Sequence, residues 1–270
     1  MVKSITSPVN PLIKNIVLLT DKSRARKESG TFIVEGKKEI LMAIKGSYIP
    51  KTFVFNPTIV SYNQLLDLYG NVLFDTEIIE VTNLVYNKIA YREGTEGVIG
   101  IFYSKEQSFS NITIQSSNPL ILVAEAPEKP GNIGALMRTA DAAGVDLFII
   151  ANPNTDIFNP NIIRSSVGCV FSNKVVSGTT KEIIDFLKTN KIKIFCALIN
   201  DDSVSCYTQK FIGPTAIVVG TESSGLSSEW NQASDHNIMI PMKGHIDSMN
   251  VSVSAAILIF EAVRQRGYQN

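Results

Sequence analysis

Three loops of this sequence carry glycines and hydrogen-bonding side chains in an order suited to holding a polar or anionic ligand. In the first, "AEAPEKPGNIGALMRTADAAG", an apolar strand runs into a Pro-Gly turn, and Asn132, Gly134 and Arg138 follow at the start of a helix. Glycine there allows close backbone approach, and the first turn of a helix offers free N–H groups. In the second, "AIVVGTESSGLSSEW", a β-branched strand ends at Gly220, a carboxylate follows at Glu222, and Gly225 precedes a short helix. In the third, "IPMKGHIDSMNVSVSAAILIF", Met242 and Gly244 form a turn, and Ser248 and Asn250 stand at the entrance of an apolar helix. Each loop alone has a plainer reading. Asn132, Ser248 and Asn250 suit helix capping, Arg138 suits a surface ion pair, and a strand-Gly-Glu-Gly turn is common in α/β proteins. The first loop also lacks the G-x-G-x-x-G spacing of a dinucleotide-binding turn.

Loops of this kind need rigid elements behind them. After residue 118 the pattern predicts a strand at "PLILVAEA", a helix at "IGALMRTADAAG" ending at Gly144, and a strand at "VDLFII". A helix around "KEIIDFLKTN" follows, then strands "IKIFCAL", "TAIVVG" and "HNIMIP", and a final helix "VSVSAAILIFEAVRQRG" stopped at Gly267. Continuous apolar strands separated by helices imply a parallel sheet covered on both faces. Such sheets bind ligands beyond the carboxyl ends of their strands, where the three loops lie. The stretch 104–118, "SKEQSFSNITIQSSN", is polar and without apolar periodicity, and reads as a linker. Before it, "PLIKNIVLLTDKSRARKES" reads as one helix, "TFIVEG" as a strand, "KKEILMAI" as a helix, and "KTFVFN" and "GVIGIFY" as strands, which makes a second, small α/β domain.

Composition bounds the function classes. With 270 residues, 44% of them hydrophobic, there is material for two packed domains. The formal net charge is zero, so the chain as a whole does not advertise a polyanion partner. Lysine and arginine nevertheless crowd the first forty residues. Lys22, Arg24, Arg26 and Lys27 among them are candidate phosphate contacts, or a solvated helix face. Three cysteines without C-x-x-C spacing suggest neither a disulfide framework nor a zinc site, and two separated histidines, His236 and His245, have no ligand spacing, so no metal is expected. No secretion signal or membrane-length apolar run is visible, and the expectation is a soluble cytoplasmic protein with no membrane partner.

Taken together, the three loops resemble those of the SpoU/TrmH family of RNA 2′-O-ribose methyltransferases in the SPOUT superfamily. "NIGALMRTADAAG", from Asn132 to Gly144, follows the family's N-x-G-x-x-x-R-x-A-x-x-x-G. "GTESSGL", from Gly220 to Leu226, follows G-x-E-x-x-G-L. "IPMKGHIDSMNVSVSAA" follows the third motif, with Met249 where leucine is usual. A further element, R-x-S-x-G before an aromatic, is matched by "RSSVGCVF" from Arg164 to Phe171. The resemblance spans roughly residues 118–270. It implies an α/β fold with a parallel sheet whose C-terminal segment forms a trefoil knot, a feature that general topology rules would not suggest. It also implies an S-adenosylmethionine site at Leu198, Gly220, Ile240, Met242, Ser248 and Met249, and a catalytic set of Asn132, Arg138, Glu222, Ser248 and Asn250.

The chemistry so implied is methyl transfer to a ribose hydroxyl, which needs the oxygen held in line with an activated methyl group and water kept out. A guanidinium is a poor general base because its pKa exceeds about 12. Arg138 therefore suits fixing a phosphate and stabilising charge on the oxygen better than taking its proton. The front half, through "FIVEG" at Phe32–Gly36, is similar to the ribosomal-protein-like substrate domain of many relatives. The expected layout is an RNA-binding domain at 1–105, a linker at 106–117 and the catalytic domain at 118–270. Ribosomal RNA is favoured over transfer RNA, and a homodimer through the C-terminal helix is expected. A noncatalytic RNA-binding or ribosome-assembly factor would have no need of all five catalytic-type residues.

Overall fold

The computed structural model describes residues 2–91, 94, 96–106, 108–109, 112–221, 225–246 and 248–267. They fall into two compact units, one of residues 1–106 with 156–172, the other of residues 107–155 with 173–270. The division expected at the linker leaves 156–172 with the second half. The structure groups that segment with the first, so the chain passes between the units at three places rather than one.

In the first unit β1 (Lys3–Ile5) is followed by α1 (Pro11–Asp21) and α2 (Ser23–Ser29). The single helix expected over 11–29 is broken at Lys22, whose backbone is extended (φ −116°, ψ 112°). The break is stabilised from within. The Arg26 guanidinium folds back and its Nη1 donates to the carbonyls of Leu19 (2.7 Å) and Thr20 (3.1 Å), in the last turn of α1, which has no helical N–H to use them. Next come β2 (Thr31–Glu35), α3 (Lys37–Lys45), β3 (Pro50–Phe55), α4 (Tyr62–Tyr69), β4 (Glu77–Val81), α5 (Asn83–Ile89) and β5 (Val98–Tyr103). The five strands lie in the order β1-β4-β3-β5-β2, with β5 antiparallel to both of its neighbours.

The second unit opens with β6 (Leu120–Glu125), α6 (Pro130–Ala142) and β7 (Leu147–Ala151). The chain then returns to the first unit through α7 (Pro160–Ser165). Phe158 stacks on Phe32 of β2 (centroids 4.1 Å apart), and Phe171 lies against Tyr48. Ser166, fully buried, donates to the Ile163 carbonyl and accepts from the Val170 amide. Gly168 sits at φ +82°, where a side chain would be strained, and an added Cβ would lie 2.8 Å from Cβ of Met42. The glycine of "RSSVG" thus docks this segment on α3, while its buried serine ties the segment's own turn together.

The chain re-enters the second unit with β8 (Val175–Gly178), α8 (Thr180–Thr189), β9 (Lys193–Ala197), β10 (Val204–Ser205), β11 (Thr215–Val219), α9 (Ser228–Ala233), β12 (His236–Met239) and α10 (Val251–Arg266). Its seven strands run β10-β12-β9-β11-β6-β7-β8, and every neighbouring pair is parallel. Alternation divides each strand between two cores. Ile121, Val123, Ile149, Ala216 and Val218 pack with Ile183 and Leu187 of α8 and Trp230 of α9. The opposite face meets α10, which also packs on α6. Each fully buried large aliphatic or aromatic side chain of this kind contributes roughly 1.5–3 kcal/mol relative to exposure, enough to hold the strand ends rigid.

Candidate active site

The loops that follow β9, β11 and β12 open into one cavity of about 420 Å³. Leu198 and Ile199 enter from the end of β9, Gly220, Thr221 and Gly225 from β11, and Ile240 and Met242 from β12. Ser248, Met249 and Asn250 close it at the entrance of α10, with Ser254 and Leu258 one and two turns further along. The six residues expected around a cofactor (Leu198, Gly220, Ile240, Met242, Ser248 and Met249) all line this single space.

Two local features shape it. Gly220 is pressed against the returning limb of its own loop: an added Cβ would lie 2.6 Å from the carbonyl carbon of Gly225 and 2.7 Å from the amide of Leu226. Thr221 pairs with Gly225 in an antiparallel bridge, and its hydroxyl donates to the Gly225 carbonyl at 3.1 Å. At the other wall Asn250 caps α10, its Oδ1 accepting from the Ser252 amide at 2.9 Å. Its Nδ2 donates to Oδ1 of Asn132 at 3.2 Å, which joins the third loop to the first. Asn132 is not itself a cap: Lys129 holds that position, and Asn132 lies in the first turn of α6.

Arg138 sits exposed on α6, six residues beyond Asn132 and so about 9 Å further along the helix. It makes no hydrogen bond or ion pair with the described residues and does not line the cavity. Glu222 and its two neighbours lie outside the described residues. His245 is exposed on the loop before Ser248.

Of the four basic residues expected to contact RNA, Lys22, Arg24 and Lys27 are exposed. Arg24 pairs with Glu28 one turn away. Arg26 does not belong with them. It is 4% exposed, its Nε and Nη2 donate to both carboxylate oxygens of Asp156 (3.0 and 2.8 Å), and its Nη1 is taken by the two α1 carbonyls. With four of its five N–H groups engaged inside the protein and its side chain buried, this guanidinium presents no face to a phosphate.

Several groups escaped sequence reasoning. Thr221 and Lys129 line the cavity, and Ser254 and Leu258 follow Asn250 at the i+4 and i+8 positions of one helix face. Glu125, 4% exposed at the end of β6, was signalled only by a lone carboxylate closing the apolar run "LILVA". The cysteines are not nucleophiles of this site. Burial pushes the Cys196 thiol up to about 12, and its Sγ donates to the Trp230 carbonyl. Burial likewise raises Cys206. Among the described residues there is no His/Cys/Asp/Glu cluster able to hold a metal ion.

Residues 119–260 match the model of the SpoU rRNA Methylase family, more than half of the chain. The chain belongs to that family. Within the SpoU family it is 27% identical over 259 residues to the 23S rRNA (guanosine(2553)-2′-O)-methyltransferase RlmP of Bacillus subtilis, covering 96% of this chain and 98% of that one. Residues 10–100 match the MRM3-like substrate binding domain. Among solved structures, an RNA 2′-O ribose methyltransferase is 32% identical with a TM-score of 0.83, over 97% of this chain and 99% of that one. The AdoMet-bound rRNA methyltransferase from Sinorhizobium meliloti is 28% identical with a TM-score of 0.88, over 97% and 98%.

Proposed function

We propose that this chain transfers a methyl group from S-adenosylmethionine to a ribose 2′-oxygen of RNA, with ribosomal RNA as its substrate. The observation that carries this reading is the single cavity on which three separated loops converge, tied at one wall by the Asn250–Asn132 bond. The space fits the donor on its own terms. A volume of about 420 Å³ falls within the range of small-molecule sites, roughly 300–1,000 Å³. Leu198, Ile240, Met249 and Leu258 offer apolar surface for an adenine ring, while Thr221, Ser248 and the backbone at Gly220 offer polar groups for the ribose and amino-acid ends. When bound, the donor supplies a methyl group already activated on a sulfonium.

The protein's part is then to position and to stabilise. Asn132, held by Asn250, orients the target ribose beside the cavity mouth. Arg138, exposed and with no partner among the described residues, holds the target phosphate and stabilises charge on the attacking oxygen. Glu222, Ser248 and Asn250 complete the set. Lys22, Arg24 and Lys27 contact phosphates of structured RNA, whose base edges are hidden in A-form helices, so shape and backbone carry recognition.

We further read the fold as the knotted SPOUT type. The family assignment supports this, as does a strand order in which β12 is inserted between β10 and β9. The front unit is read as ribosomal-protein-like, with 106–117 as linker to a catalytic part at 118–270 from which 156–172 is given over to the first unit. Val253 (48% exposed), Ile257 and Phe260 (37% exposed) form an apolar stripe on α10, which supports a homodimer through that helix. No helix among the described residues is long and apolar enough to cross a membrane, which accords with a cytoplasmic enzyme.

Incubating the protein with methyl-labelled S-adenosylmethionine and deproteinised ribosomal RNA, then digesting to nucleosides, should yield label in a 2′-O-methylated nucleoside. Label on a base, on transfer RNA alone, or on no RNA would refute the reading.

A further inference from the structure

We infer that Glu125 is a positioning residue for the donor cavity, acting through Ser227. The inference rests on the methyltransferase reading for its consequence, and on geometry within the second unit for its cause.

Glu125 ends β6, and the next residue, Ala126, leaves the sheet with a positive φ of 39°. Its carboxylate is buried without a cationic partner among the described residues, so neutral donors must compensate its charge. Three of them do. The Ser227 amide donates to Oε2 at 2.8 Å, and the Ser227 hydroxyl and the Thr180 hydroxyl donate to Oε1 at 2.7 and 3.1 Å. Asn152, at the end of β7, donates in turn to the Thr180 hydroxyl at 2.9 Å. The carboxylate thereby joins the end of β6 to the starts of α8 and α9. Ser227 caps α9 by position yet makes no side-chain capping bond; its hydroxyl is turned to Glu125 instead.

The connection to the cavity is short. Ser227 is two residues beyond Gly225, which lines the cavity, pairs with Thr221, and with Leu226 packs against Gly220. Glu125 therefore anchors the returning limb of the second loop from outside the cavity, and that limb fixes where Gly220 and Thr221 stand within it. A carboxylate suits the task because it accepts from an amide and two hydroxyls at once and donates to none of them. A glutamine would turn an N–H₂ toward at least one donor.

The test compares wild type with Glu125→Ala, Glu125→Gln, Ser227→Ala and the Glu125→Ala/Ser227→Ala double variant, in the full chain. Three quantities are read: S-adenosylmethionine affinity by calorimetry, RNA affinity by filter binding, and amide hydrogen exchange at Gly225–Ser227. Loss of a hydrogen-bonded buried carboxylate should weaken donor affinity by about tenfold in Glu125→Ala and speed exchange at those amides by a similar factor. RNA affinity should stay within about twofold, Glu125→Gln should recover part of the loss, and the double variant should be no weaker than Glu125→Ala alone. Wild-type donor affinity in the variants, additive effects of the two sites, or equal losses of donor and RNA affinity would overturn the inference. Should Glu125→Ala fail to fold, unchanged exchange and affinity in both Glu125→Gln and Ser227→Ala would overturn it equally. If the wild type binds no donor, the proposed function falls, while the exchange measurement still decides whether Glu125 holds the loop.

Discussion

Helices α2 and α6 each carry an arginine in a stretch that reads as a phosphate-contacting surface, and the two lie in opposite environments. Arg26 is 4% exposed, with Nε, Nη1 and Nη2 all engaged by Asp156 and the carbonyls that end α1. Arg138 is exposed, with no partner among the described residues. A basic residue's value to an anionic partner is set by the donors it has left, and those depend on where the chain folds. Arg26 serves the protein's own backbone and a carboxylate 130 positions away. Of the two, only Arg138 presents its guanidinium at the surface, where RNA could reach it.

That contrast can be broken by substitution. Replacing Arg26 with Ala leaves the Asp156 carboxylate, 11% exposed, without its cation, and strands the α1 carbonyls. Breaking one partner of a buried pair costs about 3–5 kcal/mol, so denaturant unfolding should show a loss of that size, with the salt dependence of RNA binding unchanged in protein that remains folded. A flattened salt slope with full stability would return Arg26 to the RNA surface. Arg138→Ala should do the reverse. Steady-state assays should show kcat lower by about 10²–10³, the scale for losing one preorganised donor to a developing oxyanion, with donor affinity and melting temperature unmoved. Turnover near the wild-type rate would remove Arg138 from the chemistry.

The smallest effect is expected from the exposed cations. Neutralising Lys22 and Lys27 together should change stability by no more than about 0.5 kcal/mol. If both touch phosphates, the slope of log K against log salt should flatten by about 0.7–0.9 for each phosphate no longer neutralised, the range from single strands to duplex. An unaltered slope would place the RNA surface elsewhere on the front unit.

The second unit was largely legible because its signals are local. Buried parallel strands announce themselves as apolar runs, Gly144 and Gly267 mark the ends of α6 and α10, and the loop glycines mark close backbone approach. Gly220, for example, meets the Gly225 backbone where a Cβ would stand. Asn250 is a cap, as its type and place suggested, and by its other end it also reaches Asn132, so one side chain both caps α10 and joins two loops. What stayed hidden depends on distant partners. No periodicity in "DKSRARKES" reveals that the helix breaks at Lys22, because the break is held by the Arg26 guanidinium, itself fixed by the distant Asp156. The short elements β1, α5, β8 and β10 carry too few residues to show a period. The glycine of "RSSVG" looks like a motif residue in the sequence, and only its packing on Met42 shows that it docks a segment. Glu125 belongs to the same class, since the donors it needs arrive from α8 and α9.

The most direct test of the central claim is calorimetric binding of S-adenosylmethionine to the wild-type chain and to Gly220→Ala, whose added Cβ would press on Gly225. The account predicts saturable binding at one site per chain, competed by S-adenosylhomocysteine, and weaker by about tenfold or more in the variant because the loop must shift to make room. No binding by the wild type, or the same affinity in both proteins, would contradict it.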